Sequence, residues 1–331
     1  MRAAQPATAG PSPIAVLGEI VTGLLAHSTP VTPTGAAELL ALPCGRAVRT
    51  WTRPIARTVT PATATGVDCG LPADTTGKRV RGIGSMLAHT ALTGGRVLQA
   101  NAFARVTSAT TDHRLPWSHY LSHSGTVEAV GRIRATSLAE GFFDAGRTPD
   151  TLDPGGIAGH RLAAVQQSPD LDRRPPLKAA RTSLRWAIVR GNPENPDRQA
   201  EFTVSGTHTR TLLLRAEDLD DVADLLVFSE DIARHDWLLT VLGNLLDHPH
   251  ESPAYSHRLR MAAEHLAHLW MPASVPTPRT AELWDGFERV PGFTRQWSTM
   301  EARVRRTIAA RTASMLEHPG RTRSGHRPPG A

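Results

Sequence analysis

The stretch Leu212–Leu246, LLLRAEDLDDVADLLVFSEDIARHDWLLTVLGNLL, constrains the fold more than any other part of the chain. It opens on Leu212, Leu213 and Leu214, an apolar run of the kind that ends a buried strand. Glu217, Asp218, Asp220 and Asp221 follow. Acids suit a helix start, where unpaired N–H groups and the macrodipole favour negative charge. Leu219, Val222, Leu225 and Leu226 then recur at helical spacing. The run is long for one globular helix. Ser229 is therefore expected to cap a second helix, with Glu230 and Asp231 in its first turn and Pro249 ending it. That second helix is broadly apolar and belongs near the core. His235 and Asp236 are adjacent, like the metal-binding pair of phosphohydrolases, but neighbours on a helix point about 100° apart. They are expected on its exposed side.

Before this stretch the pattern is strand-like. From Ile14, Val16, Gly18, Ile20, Thr22 and Leu24 alternate with Leu17, Glu19, Val21 and Leu25. A short helix is expected over 36–42, strands over 46–52 and 54–60, and a loop over 66–76 that contains Cys69. Val80–Val106 reads as a hairpin about Thr93-Gly94-Gly95, because paired glycines supply positive φ. Its second arm sets Val97, Gln99, Asn101, Phe103 and Arg105 on one face. Gly82-Ile83-Gly84 lacks the third glycine and following helix of a dinucleotide loop, so close packing is its expected role. Residues 127–135 alternate again, 144–178 read as mostly loop with a short helix near 157–166, and 182–190 as a strand. A second hairpin, 200–205 with 209–214, leads into the central stretch.

After Pro249 the sequence is helical. Tyr255–Trp270 is amphipathic, with Glu264 and His268 one turn apart opposite the apolar stripe. These two can hold a metal from one helix but are short of the three or four ligands of a zinc site, so no metal is assigned. Thr280 is expected to cap a helix over 281–290, and another runs over 293–316. The fold expected is α+β: a β-rich region of antiparallel hairpins over 14–215, then a helical region over 216–317. Residues 1–13 and the basic tail 318–331 are expected to be disordered.

The formal net charge is +6, but its distribution argues against a nucleic-acid domain. From Arg303 onward there are seven arginines and one acid, which leaves the first 302 residues balanced. A nucleic-acid-binding domain carries a basic face, so such binding is expected only through the basic end. Two cysteines, Cys44 and Cys69, make no disulfide framework. Ile14–Ala26 is too short to span a bilayer and is broken by Glu19. A cytoplasmic location without membrane contact is expected.

No P-loop, nucleophile elbow, zincin helix or cysteine cluster is present in the sequence, and no cofactor is implied. The residues best suited to line a site are His89, the cluster Trp117, His119 and Tyr120, and His235. Trp, His and Tyr together suit a pocket, and equally a loop plugged onto a core.

Several stretches resemble an uncharacterised family of actinobacterial proteins. They are Gly18-Glu19 with Leu24-Leu25, Gly66–Cys69, Val80–Gly84, Gly94–Gln99, Pro116–Tyr120 and His235–Leu239. Members of that family are encoded beside a variant P-loop protein and a methyltransferase. The resemblance implies a component of a multi-protein system with partners from the same operon, and assigns no catalytic residue. The function expected is a non-catalytic accessory or scaffolding subunit acting through protein–protein contacts. The alternatives are an enzyme or small-molecule binder with its site between the two regions, and nucleic-acid binding through the basic end.

Overall fold

The computed structural model describes residues 12–42, 45–73, 78–144, 150–191, 199–204, 206, 209–247, 253–272 and 277–317. Cys44, the segments expected to be disordered, and the turn after residue 191 lie largely or wholly outside them. At the centre is β1 (Ala15–Leu24), whose two faces are both apolar. Val16, Ile20 and Leu24 enter one buried cluster, while Leu17 and Val21 enter clusters on the opposite side. A strand apolar on both faces must be covered twice.

β1 lies antiparallel between β6 (Val97–Ser108) and β8 (Thr182–Arg190). β5 (Arg79–Thr93) folds back on β6 through Gly94 and Gly95, at φ +59° and +63°, as the glycine pair predicts. The expected hairpin of β9 (Ala200–Val204) and β10 (Thr209–Ala216) also forms. β7 (Thr126–Val130) wedges between the far ends of β5 and β6. Gly84 permits this: a Cβ there would lie 2.0 Å from the Thr126 carbonyl oxygen. With β2 (Arg49–Trp51), β3 (Arg57–Val59) and β4 (Thr63–Pro72), the ten strands among the described residues run β2-β3-β5-β7-β6-β1-β8-β10-β9, β4 pairing β5 off this path.

The α+β character follows from these strands and the eight α-helices among the described residues, but three finer expectations need correction. The sheet is mixed and not simply a set of antiparallel hairpins: β10 runs parallel to β8, and β7 parallel to β6. The expected loop around Cys69 is the strand β4, paired with β5 from Thr63–Ala88 to Pro72–Arg79. Its glycines and aspartate weaken its own propensity, and the neighbouring strand supplies the order. Ser229 caps nothing. One helix, α5 (Ala223–Asp247), runs through it, and the Ser229 hydroxyl donates to the Leu225 carbonyl at 2.8 Å.

One face of the sheet carries α5, then α6 (Pro253–Leu266), α7 (Pro278–Arg289) and α8 (Phe293–Glu317). Trp186 and Ile188 of the sheet share a buried cluster with Ile232, Trp237 and Leu238 of α5 and with Trp284 of α7. The cap of α7 is Thr277, three residues earlier than the expected Thr280, which instead occupies the third position of a reciprocal capping box. The other face is covered by α3 (Ala135–Asp144) and α4 (Pro154–Gln166). There the buried Glu19 carboxylate takes the Ser183 hydroxyl, lies 3.3 Å from Arg185 Nε and abuts Gly155 at the N-terminus of α4. The remaining helices are α1 (Pro33–Leu39) and α2 (Trp117–Ser122). No helix among the described residues is long and apolar enough to cross a membrane.

Candidate functional site

The groups that meet from both regions gather where side chains of β3, β5 and β6 reach Glu230 of α5. Six consecutive or near-consecutive polar residues of α5, Ser229, Glu230, Asp231, Arg234, His235 and Asp236, are buried. A buried polar group is costly unless hydrogen bonded, so each partner matters. Glu230 is the hub. Its Oε1 takes His89 Nε2 at 2.5 Å and Asn101 Nδ2 at 2.9 Å, and its Oε2 takes the Arg57 guanidinium. Gln99 Nε2 donates to the Glu230 carbonyl at 2.9 Å and to the Thr22 hydroxyl at 3.2 Å. Trp186 Nε1 in turn donates to Asn101 Oδ1 at 3.3 Å.

Burial opposes ionisation of Glu230, but the charge and hydrogen bond of His89, with Arg57 and Asn101, outweigh it and hold the carboxyl down at about 2. An ionised carboxylate only accepts, so His89 Nε2 carries the proton it shares with Glu230. The hub is almost closed: Glu230 is 3% exposed, and the His89 and Arg57 side chains 14% and 15%.

His235 lies elsewhere on the same helix. Its Nε2 accepts from the Met271 N–H at 3.2 Å, which assigns the proton to Nδ1, donated to the Asp231 carbonyl at 2.7 Å. Its ring stands edge-on to Trp270, centroids 4.6 Å apart. Burial pushes its pKa down to about 4, so the imidazole is neutral. Asp236 accepts from Arg210 Nε at 3.0 Å, and burial pushes its carboxyl up against that pull. The expectation that His235 and Asp236 face solvent is therefore wrong. α5 is buried nearly all round, and internal partners replace water.

Trp117, His119 and Tyr120 do come together, on α2. The Tyr120 hydroxyl accepts from the Leu115 N–H at 3.1 Å, and His119 Nε2 meets Glu128 Oε1 at 2.6 Å. Trp117 is partly exposed against Gly66, with the Arg114 guanidinium 5.1 Å from its ring centroid. Arg81 grips Asp68 with two bonds beside it. The five sequence candidates thus occupy three places: His89 at the Glu230 hub, His235 among the helices, and the α2 cluster. Glu264 and His268 are both exposed, His268 in a 3₁₀ turn just beyond α6, and no third metal-binding side chain joins them among the described residues.

Arg57, Gln99, Asn101 and Glu230 were not among the sequence candidates. The alternation of β6 does place Gln99 and Asn101 with Phe103 on one face, and two amides on an otherwise apolar face signal a polar partner opposite. Two surface cavities lie away from the hub. One, of about 210 Å³, is bounded by α3, β8, β9 and β10; the other, of about 120 Å³, lies between α6 and α8. Both are smaller than the ~300 Å³ at which ligand pockets begin. No family model, curated protein or solved structure matches this chain.

Proposed function

We propose that this chain is a non-catalytic accessory or scaffolding subunit that works through protein–protein contacts, with partners encoded in the same operon. The observation that supports it is the coordination of Glu230. The acid and histidine from the two regions that are best placed for chemistry are bound to each other. Arg57, Asn101 and Gln99 complete the hub, which fastens α5 to the sheet. A rigid joint of this kind suits a body that presents its outer surface to other proteins. Affinity purification of the full chain from the cells that encode it tests the reading. A stoichiometric protein partner is expected, and recovery of none contradicts it.

A second reading, a small-molecule binder with a site between sheet and helices, draws on the meeting of Arg57 and His89 with Glu230 across that boundary. It requires a bound compound that survives purification and is released by Glu230→Gln. Native mass spectrometry showing no added mass removes it.

A further inference from the structure

Arg96 closes the β5–β6 turn with its side chain inside the protein, 1% exposed. Its Nη1 donates to the carbonyls of His27 and Ser28, each at 3.0 Å, and its Nη2 meets His265 Nδ1 of α6 at 3.2 Å. A guanidinium only donates, so Nδ1 accepts, and His265 is the neutral imidazole protonated on Nε2. Asp172, which takes the Ser28 N–H at 3.0 Å and lies 3.3 Å from His27 Nδ1, is the acid whose field reaches Arg96.

The bond sits at a close approach of three segments. A Cβ on Gly94 would lie 2.2 Å from Leu269 Cδ2, and one on Gly95 would lie 2.1 Å from the Val31 carbonyl oxygen. Leu269 follows His265 by one turn, in the 3₁₀ turn Ala267–Leu269. The β5–β6 turn is thus held by the loop after β1 on one side and by the end of α6 on the other. Protonation of His265 would undo the second contact twice over. Nδ1 would carry a hydrogen and no longer accept, and an imidazolium would face a buried guanidinium.

We infer that the Arg96–His265 bond is a proton-sensitive latch: proton uptake by His265 releases the end of α6, with Leu269, from the β5–β6 turn, while the Glu230 hub still holds α5 to the sheet. The surrounding groups set its range. Burial, Arg96 and His268 oppose a charge on His265, Glu264 favours one, and the net shift is downward from 6.5. His268 is lowered too, by burial and by Arg96. Other charged groups against α6 are engaged elsewhere. Arg234 and His235 of α5 bond Met271 beyond the 3₁₀ turn, Glu301 and Arg305 of α8 pair along Ala263 and Ala267, and Arg311 lies over Tyr255. With the folded value lowered, the latch is whole above about 6.5 and weakens as pH falls below it. The contribution of Glu230 is whole down to about 4.5, so the two joints yield in different ranges.

Hydrogen exchange of the full chain at pH 7.5, 6.5 and 5.5, corrected for the intrinsic pH dependence of exchange, tests this. Opening of residues 261–270 is expected to rise about threefold or more from pH 7.5 to 5.5, ahead of β6, the reference for global unfolding. His265→Asn, whose Oδ1 accepts from Arg96 without titrating, is expected to remove at least half of that rise, and added His268→Gln the remainder. No rise, a rise shared equally by β6, or a rise that His265→Asn reduces by less than half overturns the proposal. Should the variant fail to fold, the His265 ring followed by NMR in the wild type carries the test. A midpoint below 6.5 supports the latch, and one at or above 6.5 overturns it.

Discussion

Two histidine–glutamate pairs in this protein have nearly the same contact distance and different surroundings. His89–Glu230 is 2.5 Å, with side chains 14% and 3% exposed; His119–Glu128 is 2.6 Å, with side chains 32% and 13% exposed. Glu230 also takes Arg57 and Asn101, and its neighbours on both sides in α5 are buried. His119 lies on a six-residue helix at the surface. Water screens the second pair and competes for it, whereas the first has only protein partners. Contact distance does not set what an ion pair contributes; the cost of leaving one partner alone does.

The largest expected effect is at the buried pair. Glu230→Ala leaves Arg57, His89 and Asn101 facing one another without an acceptor, and is expected to cost about 3–5 kcal/mol of stability. Urea unfolding at pH 7, followed by circular dichroism, measures it. A loss below ~1 kcal/mol breaks the comparison.

Acid is next. His235 has its folded pKa lowered by burial to about 4. The unfolded chain, near 6.5, therefore takes up its proton first as pH falls. Stability from this group is whole above about 6.5 and is lost progressively toward about 4, on the order of 3 kcal/mol. His235→Leu is expected to flatten the unfolding midpoint across that window. The folded Glu230 carboxyl is held at about 2, below its unfolded value of 4.5. Its contribution is whole above about 4.5 and falls away toward about 2. Glu230→Gln is expected to remove that lower segment only. A midpoint that stays level from pH 7 to pH 3 contradicts both assignments.

The smallest effect is at the surface pair. His119→Ala is expected to cost only about 0.2–1 kcal/mol, with further loss confined to its packing on Tyr120. Differential scanning fluorimetry of wild type and variant measures it.

Much of the sheet was legible from alternation and turn chemistry. The β5–β6 hairpin follows from Gly94-Gly95, β8 from Leu184, Trp186 and Ile188 at every second position, and the two faces of β1 from its double alternation. β4 and α3 were missed. Their local signals are weak, and pairing with β5 or packing of Leu138 and Phe142 onto the sheet supplies their order. The continuity of α5 was missed because its polar residues resemble a fresh helix start, while their actual role is to face partners across the core. His89 was named from the sequence, but its partners were not. Arg57 comes from a three-residue strand, and Glu230 lies 141 residues beyond His89. Contacts this distant depend on strand order, which local periodicity does not encode.

The most direct test is a pair of double-mutant cycles by urea unfolding at pH 7: His89→Ala with Glu230→Gln, and His119→Ala with Glu128→Gln. A coupling of about 1.5–3 kcal/mol is expected for the first, within the range for contacting residues in one network, and below ~1 kcal/mol for the second. Equal couplings, or a larger one at His119–Glu128, would contradict the claim that the Glu230 hub fastens α5 to the sheet.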